Sequence, residues 1–490
     1  MKKALEDILE DIEIVKSKGS LDKQVDDISF DSREVKPGSL FVAVRGLTVD
    51  GHDYIDHAVD KGASVVVCES LPAQLTEGIS YVVVSDTAVA LGRMASGFFG
   101  NPSDKLKLVG ITGTNGKTTS ATLLYHLFLQ KGVKTGLIST IANYVDRERL
   151  PTKYTTPDAL SINSLLKEMV DRECEYAFME VSSHALKQKR ISGLRFEGAL
   201  FTNISHEHLD YHKTFSDYLH SKKMLFDDHL DRNSFALINA DDRNGRYMVQ
   251  NTIASVYTYG LKTFADFKGK VMEKHIDGTL LHINAHEIWT QFAGEFNASN
   301  LLGIYGAARL LGYDEALLLK NISKLQPVEG RFETFKSSNG KTAIVDYAHS
   351  PDALENVLAT ILGVQRKDQK LITVVGAGGD RDKAKRPQMA KIALQYSSKV
   401  VLTSDNPRTE VPENIIEDMR EGIEKGDEQK VVSITDRKEA IKTACMMAGS
   451  GDIIFVAGKG HETYQEINGI RYHFDDREII KEIFKNTKEK

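Results

Sequence analysis

The chain has 490 residues, 41% hydrophobic and 27% charged, with a formal net charge of −6. Such a length exceeds what one hydrophobic core supports, so about three soluble domains are expected, and without a basic excess to displace counterions nucleic acid is excluded as a partner. No apolar run reaches the roughly 18 residues of a membrane span, so no membrane insertion is expected, and the widely spaced Cys68, Cys174 and Cys445 read as packing thiols of a reducing compartment.

The opening "MKKALEDILEDIEIVKSKG" places acids where a signal peptide needs an apolar core, so a cytoplasmic protein is expected. Disorder is expected only at short ends such as "KNTKEK". From about residue 25, the β-branched runs "SLFVAV", "SVVVCES" and "SYVVVSD" alternate with helical stretches such as "YIDHAVDKG". That is the rhythm of a small α/β unit, which ends near "GNPSDKLK". A second unit runs through "KLVGITGTNGKTT", "KTGLIST", "YAFMEVSS", "GALFTNIS" and "SFALINADD", apolar runs that read as buried parallel strands.

A third unit opens after "LQPVEGRFETF", where Pro327 and Gly330 punctuate the chain. Its strand-like runs "TAIVDYAHSP", "LITVVGAGGD", "VVLTSDNPR" and "IIFVAGKGHE" all end in charged or glycine-bearing residues. Ligands of open α/β sheets sit beyond the carboxyl ends of strands, so these endings predict a binding crevice. The expected class is α/β with three domains. They are an α/β N-terminal domain over 1–102, a central P-loop mononucleotide-binding domain with a parallel sheet over 103–327, and a Rossmann-like C-terminal domain over 328–490.

Residues 110–119, "GITGTNGKTT", lie between a strand-like run and the helix-like "KTTSATLLYHLFLQKG". At such a turn, backbone N–H groups and the positive end of a helix dipole surround phosphate oxygens. Gly110, Thr112, Gly113, Thr114, Asn115, Gly116, Lys117, Thr118 and Thr119 form the candidate ATP cradle. Lys117 would reach the terminal phosphates and Thr118 would bind Mg²⁺ through its hydroxyl. A standard P-loop has its first glycine where this chain has Ile111, so the loop here is longer, with Gly110 as that glycine. The competing reading is a glycine turn with no ligand. The motif points to ATP and is silent on its use.

After the next strand, "MEVSSHALKQKRI" offers Glu180, Ser182, His184 and Arg190. His206 and Glu207 resemble the start of a zinc-protease motif, which fails because Asp210 stands where the second histidine belongs. Glu180 and His208 read either as ligands of a divalent metal or as polar residues of a solvated surface loop. Lys222 shares a helix face with Tyr218, and by spacing alone it reads as a solvated lysine.

Taken together, "GITGTNGKTT", "MEVSSHAL", "NISHEHLDYH", "GEFNASN", "VEGRFE", "VDYAHSPDAL", "GAGGDRDKAKRP", "SDNPR" and "GKGHE" resemble the Mur ligases, ATP-dependent amide-forming enzymes of peptidoglycan synthesis, in family order over nearly the whole chain. The combination of "DSR", "GDRDK", "DNPR" and "GKGHE" is similar to the member that adds meso-diaminopimelate to UDP-N-acetylmuramoyl-L-alanyl-D-glutamate. The resemblance implies ATP and Mg²⁺ as cofactors, the UDP-muramoyl dipeptide and meso-diaminopimelate as partners, and a monomer. Phe30, Ser32, Leu47, Thr48 and Val49 would hold the uridine diphosphate end, and Thr155, Thr156, Ser182, Gln188 and Arg190 the muramoyl dipeptide. Many members have asparagine where this chain has Tyr154, which puts one such contact in question.

Lys222 matches the family lysine that becomes a carbamate, a metal ligand beside Glu180 and His208, with Thr118 the remaining metal residue. Asn297 would meet adenine, Asp346 the ribose and Arg331 the γ-phosphate; Lys117, Glu180, His208, Lys222 and Arg331 form the implied catalytic set. The incoming amino acid would meet Arg381, Asp405, Asn406, Pro407, Arg408, Gly458 and Glu462. Arg408 suits a second carboxylate through two parallel hydrogen bonds. Its other reading is a surface arginine after the Asn-Pro turn. The alternatives to diaminopimelate addition are addition of lysine by the same fold, a folylpolyglutamate-type ligase, and a P-loop protein that binds ATP as a regulatory switch.

Overall fold

A computed structural model describes residues 2–46, 49–152, 154–205, 207 and 209–486. The chain divides into two compact units. One comprises Met1–Gly113, Ser120–Thr202 and Ser216–Thr258, the other Thr114–Thr119, Asn203–Phe215 and Tyr259–Lys490. Among the described residues no helix is long and apolar enough to cross a membrane. The last four residues of "KNTKEK" lie outside the described residues.

Beside the short antiparallel pair of Lys3–Ala4 with Gln24–Val25, the first unit holds two larger sheets. In one, Leu40–Val42, Val65–Cys68 and Ser80–Val84 are buried throughout and pair in parallel, with Ile28–Ser29 beside Leu40–Val42. Strands covered on both faces need apolar residues at every position, hence the unbroken valine runs. The helix Thr87–Phe98 lays Ala90, Leu91, Met94 and Phe98 into this core. It starts where Asp86 accepts the Ala88 and Val89 N–H groups, both at 2.9 Å. A reading that begins near residue 25 misses Ile14–Lys18, which pairs antiparallel with Ser80–Val84. It is an edge strand whose lysines face water, so it lacks the apolar signature of its neighbours.

In the second sheet, Thr135–Ile138, Tyr176–Glu180, Lys107–Thr112, Phe196–Phe201 and Leu230–Asn239 run parallel in that order. The chain builds outward from Lys107–Thr112 first on one side and then on the other. That is a topological switch point, and ligands bind beyond the carboxyl end of such a strand. An antiparallel hairpin, Asn143–Val145 with Glu148–Leu150, edges Thr135–Ile138.

The second unit contains an antiparallel meander, Phe267–His275, Gly278–Ile283 and His286–Thr290, which the sequence reading did not anticipate. Its larger sheet orders Glu333–Lys336, Thr342–Asp346, Ile453–Ala457, Leu371–Ala377, Lys399–Ser404 and Val431–Ser433, parallel except for the first pair. Side chains alternate between two cores: Ile344, Val375, Leu402 and Phe455 pack on one face, Val345, Val374, Val401 and Ile454 on the other. The helices Pro351–Val364, Lys385–Tyr396 and Pro412–Arg420 cover the first face, Arg437–Met447 and Asp476–Asn486 the second. The four expected strand endings therefore share one end of this sheet.

Candidate active site

The strand Lys107–Thr112 gives way to a turn, and the helix Lys117–Gln130 begins at the lysine. Gly116 has φ 85°, and a Cβ there would lie 2.4 Å from Asn300 Oδ1, so only glycine lets the turn close on that side chain. Neighbouring residues of the second unit brace the loop. Thr114 N–H donates to the Asn203 carbonyl at 2.8 Å, Asn115 N–H to Asn203 Oδ1 at 3.0 Å, and Ser205 N–H to Thr114 Oγ1 at 3.0 Å. Asp352 accepts from Asn115 Nδ2 at 3.0 Å and Ser205 Oγ at 2.9 Å. Lys117 Nζ folds back to the Thr114 carbonyl at 2.7 Å.

Two of the residues assigned to the cradle belong to the strand. A Cβ on Gly110 would press within 3.0 Å of the Phe196 ring, so this glycine makes room for packing. Thr112 Oγ1 donates to the Val181 carbonyl at 2.8 Å. Thr118 and Thr119 are buried in the first turn of the helix.

Arg331 Nη2 donates to Thr118 Oγ1 at 3.2 Å, and its guanidinium lies 4.6 Å from the Tyr347 ring centroid. Among the described residues its buried Nε has no hydrogen-bond partner. A buried N–H of a cation left unpaired is costly, and a phosphate oxygen would satisfy it. Asp346 accepts the Phe332 N–H at 2.7 Å. Burial pushes its carboxyl up to about 6, against the opposing pull of Arg331 and of the Phe332 and Ala348 N–H groups. Asn297, buried on the helix Glu295–Leu310, donates Nδ2 to the Ala293 carbonyl at 2.9 Å.

In the first unit, Glu180 ends the strand Tyr176–Glu180 with no exposed surface and accepts the Thr140 N–H at 2.7 Å. Lys222 is 1% exposed; Nζ donates to the Gly113 carbonyl at 2.7 Å and sits 4.8 Å from the Tyr218 ring centroid. Reading Lys222 as solvated is thus overturned: the face it shares with Tyr218 points inward. A wholly buried carboxylate supplies the hard oxygen that suits Mg²⁺, and a lysine converted to an oxygen-bearing anion would add another. The donor chemistry therefore fits the implied metal. His208, implied with them, lies outside the described residues.

The residues expected to meet the dipeptide are linked by hydrogen bonds through Glu180 and Thr140. Thr156 Oγ1 donates to the Glu180 carbonyl at 2.8 Å and accepts the Ser182 N–H at 3.1 Å. Arg190 Nη1 donates to the Thr156 carbonyl at 2.8 Å, while Nε and Nη2 fork onto Gln188 Oε1 at 3.0 and 2.6 Å. Thr155 Oγ1 accepts from Thr140 Oγ1 at 3.1 Å. Tyr154, where many members have asparagine, places its ring 5.8 Å from the Arg190 guanidinium. His184 lies on the short helix Ser183–Lys187, which Ser182 caps through the Ala185 N–H at 3.2 Å. On the N-terminal sheet, Ser32 Oγ meets His57 Nδ1 at 2.9 Å, and Phe30 and Val49 are exposed. Leu47 and Thr48 lie outside the described residues.

Beyond the C-terminal sheet, Asn406 Nδ2 donates to Glu462 Oε2 at 2.8 Å. Buried Lys459 donates to Asn406 Oδ1 at 3.1 Å and Glu462 Oε2 at 3.2 Å. Burial works to raise Asp405, yet the charges of Lys459 and Arg437 hold it below the usual carboxylate range. Glu462 is pushed up by burial and by the charge of Asp405. Gly458 has φ 115°, and a Cβ there would fall 2.5 Å from Asp405 Oδ2. Arg408 Nη1 donates to the Gly379 carbonyl at 2.6 Å, Pro407 is buried beside Gly379, and Arg381 is exposed. Sequence reasoning passed over Asn203, Ser205, Asp352 and Lys459. All four lie within motifs already singled out, and proximity to those residues was the available signal.

Three family profiles match the chain: "Mur ligase family, catalytic domain" over residues 24–99, "Mur ligase middle domain" over 111–308 and "Mur ligase, glutamate ligase domain" over 330–460. The chain is 56% identical over 483 residues to the UDP-N-acetylmuramoyl-L-alanyl-D-glutamate–2,6-diaminopimelate ligase of Bacteroides fragilis, covering 99% of both chains. It is 55% identical over 482 residues to the protein of that name in Phocaeicola vulgatus, covering 98% of this chain and 99% of the other. A solved structure of a ligase of the same name aligns over 100% of both chains at 32% identity, with a TM-score of 0.70.

Proposed function

The chain belongs to the Mur ligase family, and from that premise we propose that it is the ATP-dependent ligase joining meso-2,6-diaminopimelate to the D-glutamyl carboxylate of UDP-N-acetylmuramoyl-L-alanyl-D-glutamate. A free carboxylate is a poor acyl donor because oxide is a poor leaving group. Its attack on the γ-phosphoryl group of ATP yields an acyl phosphate and ADP. The amine of diaminopimelate then adds to the acyl carbon and expels phosphate, leaving the amide.

The observation that carries this reading is the buried Nε of Arg331, without a partner among the described residues, on a guanidinium already bonded to Thr118 Oγ1. A cation so placed supports a role in offsetting charge on the transferring phosphoryl group, with Lys117 as the second such cation. Asp346 and Asn297 would orient the nucleoside. Thr118 would hold Mg²⁺ at the phosphates, and Glu180 with Lys222 as carbamate would hold a second ion; bound there, magnesium supplies positive charge against the triphosphate. Burial of Lys222 against the Gly113 carbonyl supports its place beside the phosphate loop. Thr155, Thr156, Ser182, Gln188 and Arg190 would line the dipeptide path, and Phe30, Ser32 and Val49 the uridine end.

Asp405, Asn406, Arg408 and Glu462 would take the amino acid, Arg408 gripping the carboxylate that lysine lacks. A site built around such a polar partner rejects the analogue without it, by ~10⁴-fold in favourable cases. The three-domain division at 1–102, 103–327 and 328–490 is supported by separate sheets within 14–84 and 333–457. We place the reaction in the cytoplasm and take the enzyme as a monomer. Mass analysis of the product formed from ATP, the UDP-muramoyl dipeptide and an equimolar mixture of diaminopimelate and lysine tests the reading. A diaminopimelate-bearing tripeptide is expected, and a lysine product or no product with ATP turnover would overturn it.

A further inference from the structure

Arg381 and Arg408 stand on different loops, one after Leu371–Ala377 and the other after Lys399–Ser404. The loops are tied by a third arginine. Arg386, on the helix Lys385–Tyr396, is wholly buried and forks onto Glu410, Nη1 to Oε2 at 2.9 Å and Nη2 to Oε1 at 2.7 Å. Nη1 also meets Asp418 Oδ2 at 2.7 Å, and Nη2 the Gly378 carbonyl at 3.3 Å.

Glu410 passes the contact on, because its Oε1 accepts the Asp380 N–H at 2.6 Å. Asp380 in turn accepts the Thr409 hydroxyl at 2.7 Å and the Thr409 N–H at 3.2 Å. Gly379 N–H donates to the Asn406 carbonyl at 2.9 Å, and Arg408 Nη1 returns to the Gly379 carbonyl at 2.6 Å. From the opposite side, the hairpin Tyr464–Ile467 with Ile470–His473 holds the backbone of Arg408: its N–H donates to the Glu466 carbonyl at 3.0 Å and its carbonyl accepts the Asn468 N–H at 2.7 Å.

This framework surrounds two unfavourable conformations. Arg408 has φ 52° and Asp380 φ 53°, in the left-handed region where a side chain is crowded. Such residues persist where their surroundings over-determine them, and they collect at binding sites. Arg386 is the wholly buried member of the ion pairs in this framework, with Glu410 and with Asp418, and its guanidinium holds the Glu410 carboxyl down to about 2. The pair therefore stays charged at any working pH.

We propose that Arg386 and Glu410 are positioning residues for amino-acid selectivity: by locking the two loops they keep Arg408 left-handed and aimed, and so set the discrimination between an amino acid bearing a second carboxylate and one without it. This rests on the reading of Arg408 as the group that grips that carboxylate.

The test compares Glu410→Gln, Thr409→Val, Arg408→Ala and the double variant Glu410→Gln/Arg408→Ala in steady-state ligation, with thermal unfolding recorded for each. Glu410→Gln keeps an acceptor for the Asp380 N–H and removes the charge; it raises the KM for diaminopimelate about 10-fold and narrows the diaminopimelate-to-lysine ratio, with the KM for ATP unchanged. Thr409→Val, a milder change at the surface, moves the ratio the same way by about 2-fold. In the Arg408→Ala background, Glu410→Gln adds nothing further, because both act through one guanidinium. A Glu410→Gln effect that adds in full to Arg408→Ala, or a lowered melting temperature with an unchanged ratio, would overturn the positioning role. An unchanged ratio in Arg408→Ala alone would instead overturn the reading of Arg408 on which the proposal rests.

Discussion

Gly458→Ala separates a pocket built around Asp405 from one in which that acid is incidental. Gly458 has φ 115°, outside the range an alanine readily adopts, and the new Cβ would lie 2.5 Å from Asp405 Oδ2. Ordinary contact begins near 3.4 Å, so the carboxylate must retreat by roughly 0.9 Å. Retreat is constrained: Asp405 is buried, Oδ1 accepts the Asn406 N–H at 2.7 Å and Oδ2 lies 3.9 Å from Arg437 Nη1. Backbone strain adds on the order of 1–3 kcal/mol. Misplacing a positioned group by about 1 Å can cost ~10²-fold, so the KM for diaminopimelate should rise about 10- to 100-fold while that for ATP stays within about 2-fold. The assay is ADP release at saturating UDP-muramoyl dipeptide with diaminopimelate varied, alongside thermal unfolding. A stable variant with the wild-type KM for diaminopimelate would show that Asp405 does not meet the amino acid; equal rises in both KM values would mean general damage.

Arg408→Ala should raise the KM for diaminopimelate by about 10²-fold or more and leave that for ATP nearly unchanged, and equal small shifts would remove Arg408 from the pocket. Lys222→Ala should cut ligation by ~10³-fold without unfolding the protein. Lys222→Arg should fail to restore it, since a guanidinium does not take up carbon dioxide; a fully active arginine variant would end the carbamate reading. For Asp346, burial pushes the carboxyl up to about 6, above its value in the unfolded chain, so between those values the folded state binds more protons than the unfolded one. Stability from this group therefore falls as pH rises through that window, and the loss persists above it. Asp346→Asn should be relatively more stable at neutral pH than at pH values near 4, by on the order of 2–3 kcal/mol, measured as the difference between the two unfolding curves. A difference that does not change with pH would contradict the raised carboxyl.

Some of this protein is written in short stretches of chain. The strand, turn and helix around "GITGTNGKTT" need only an apolar run, glycines and a helical period, all within neighbouring residues. The unbroken valine runs likewise declare strands buried on both faces, and the polar residues after the C-terminal runs mark the shared carboxyl end of that sheet. The edge strand Ile14–Lys18 and the meander from Phe267 to Thr290 were not legible, because exposed or half-exposed strands carry a mixed pattern that resembles a loop.

Residue spacing by itself determined the strand-to-helix turn at 110–119 and the fully buried parallel strands, because both follow from hydrogen bonds and burial patterns repeated along a few neighbouring residues. Only the tertiary structure decided that Lys222 is buried, that Arg331 reaches Thr118, that Gly110 makes room for Phe196, and that Arg386 ties Glu410 to the Gly378 carbonyl. Those facts depend on groups far apart in the chain, and their energy comes from shared desolvation that no local pattern records.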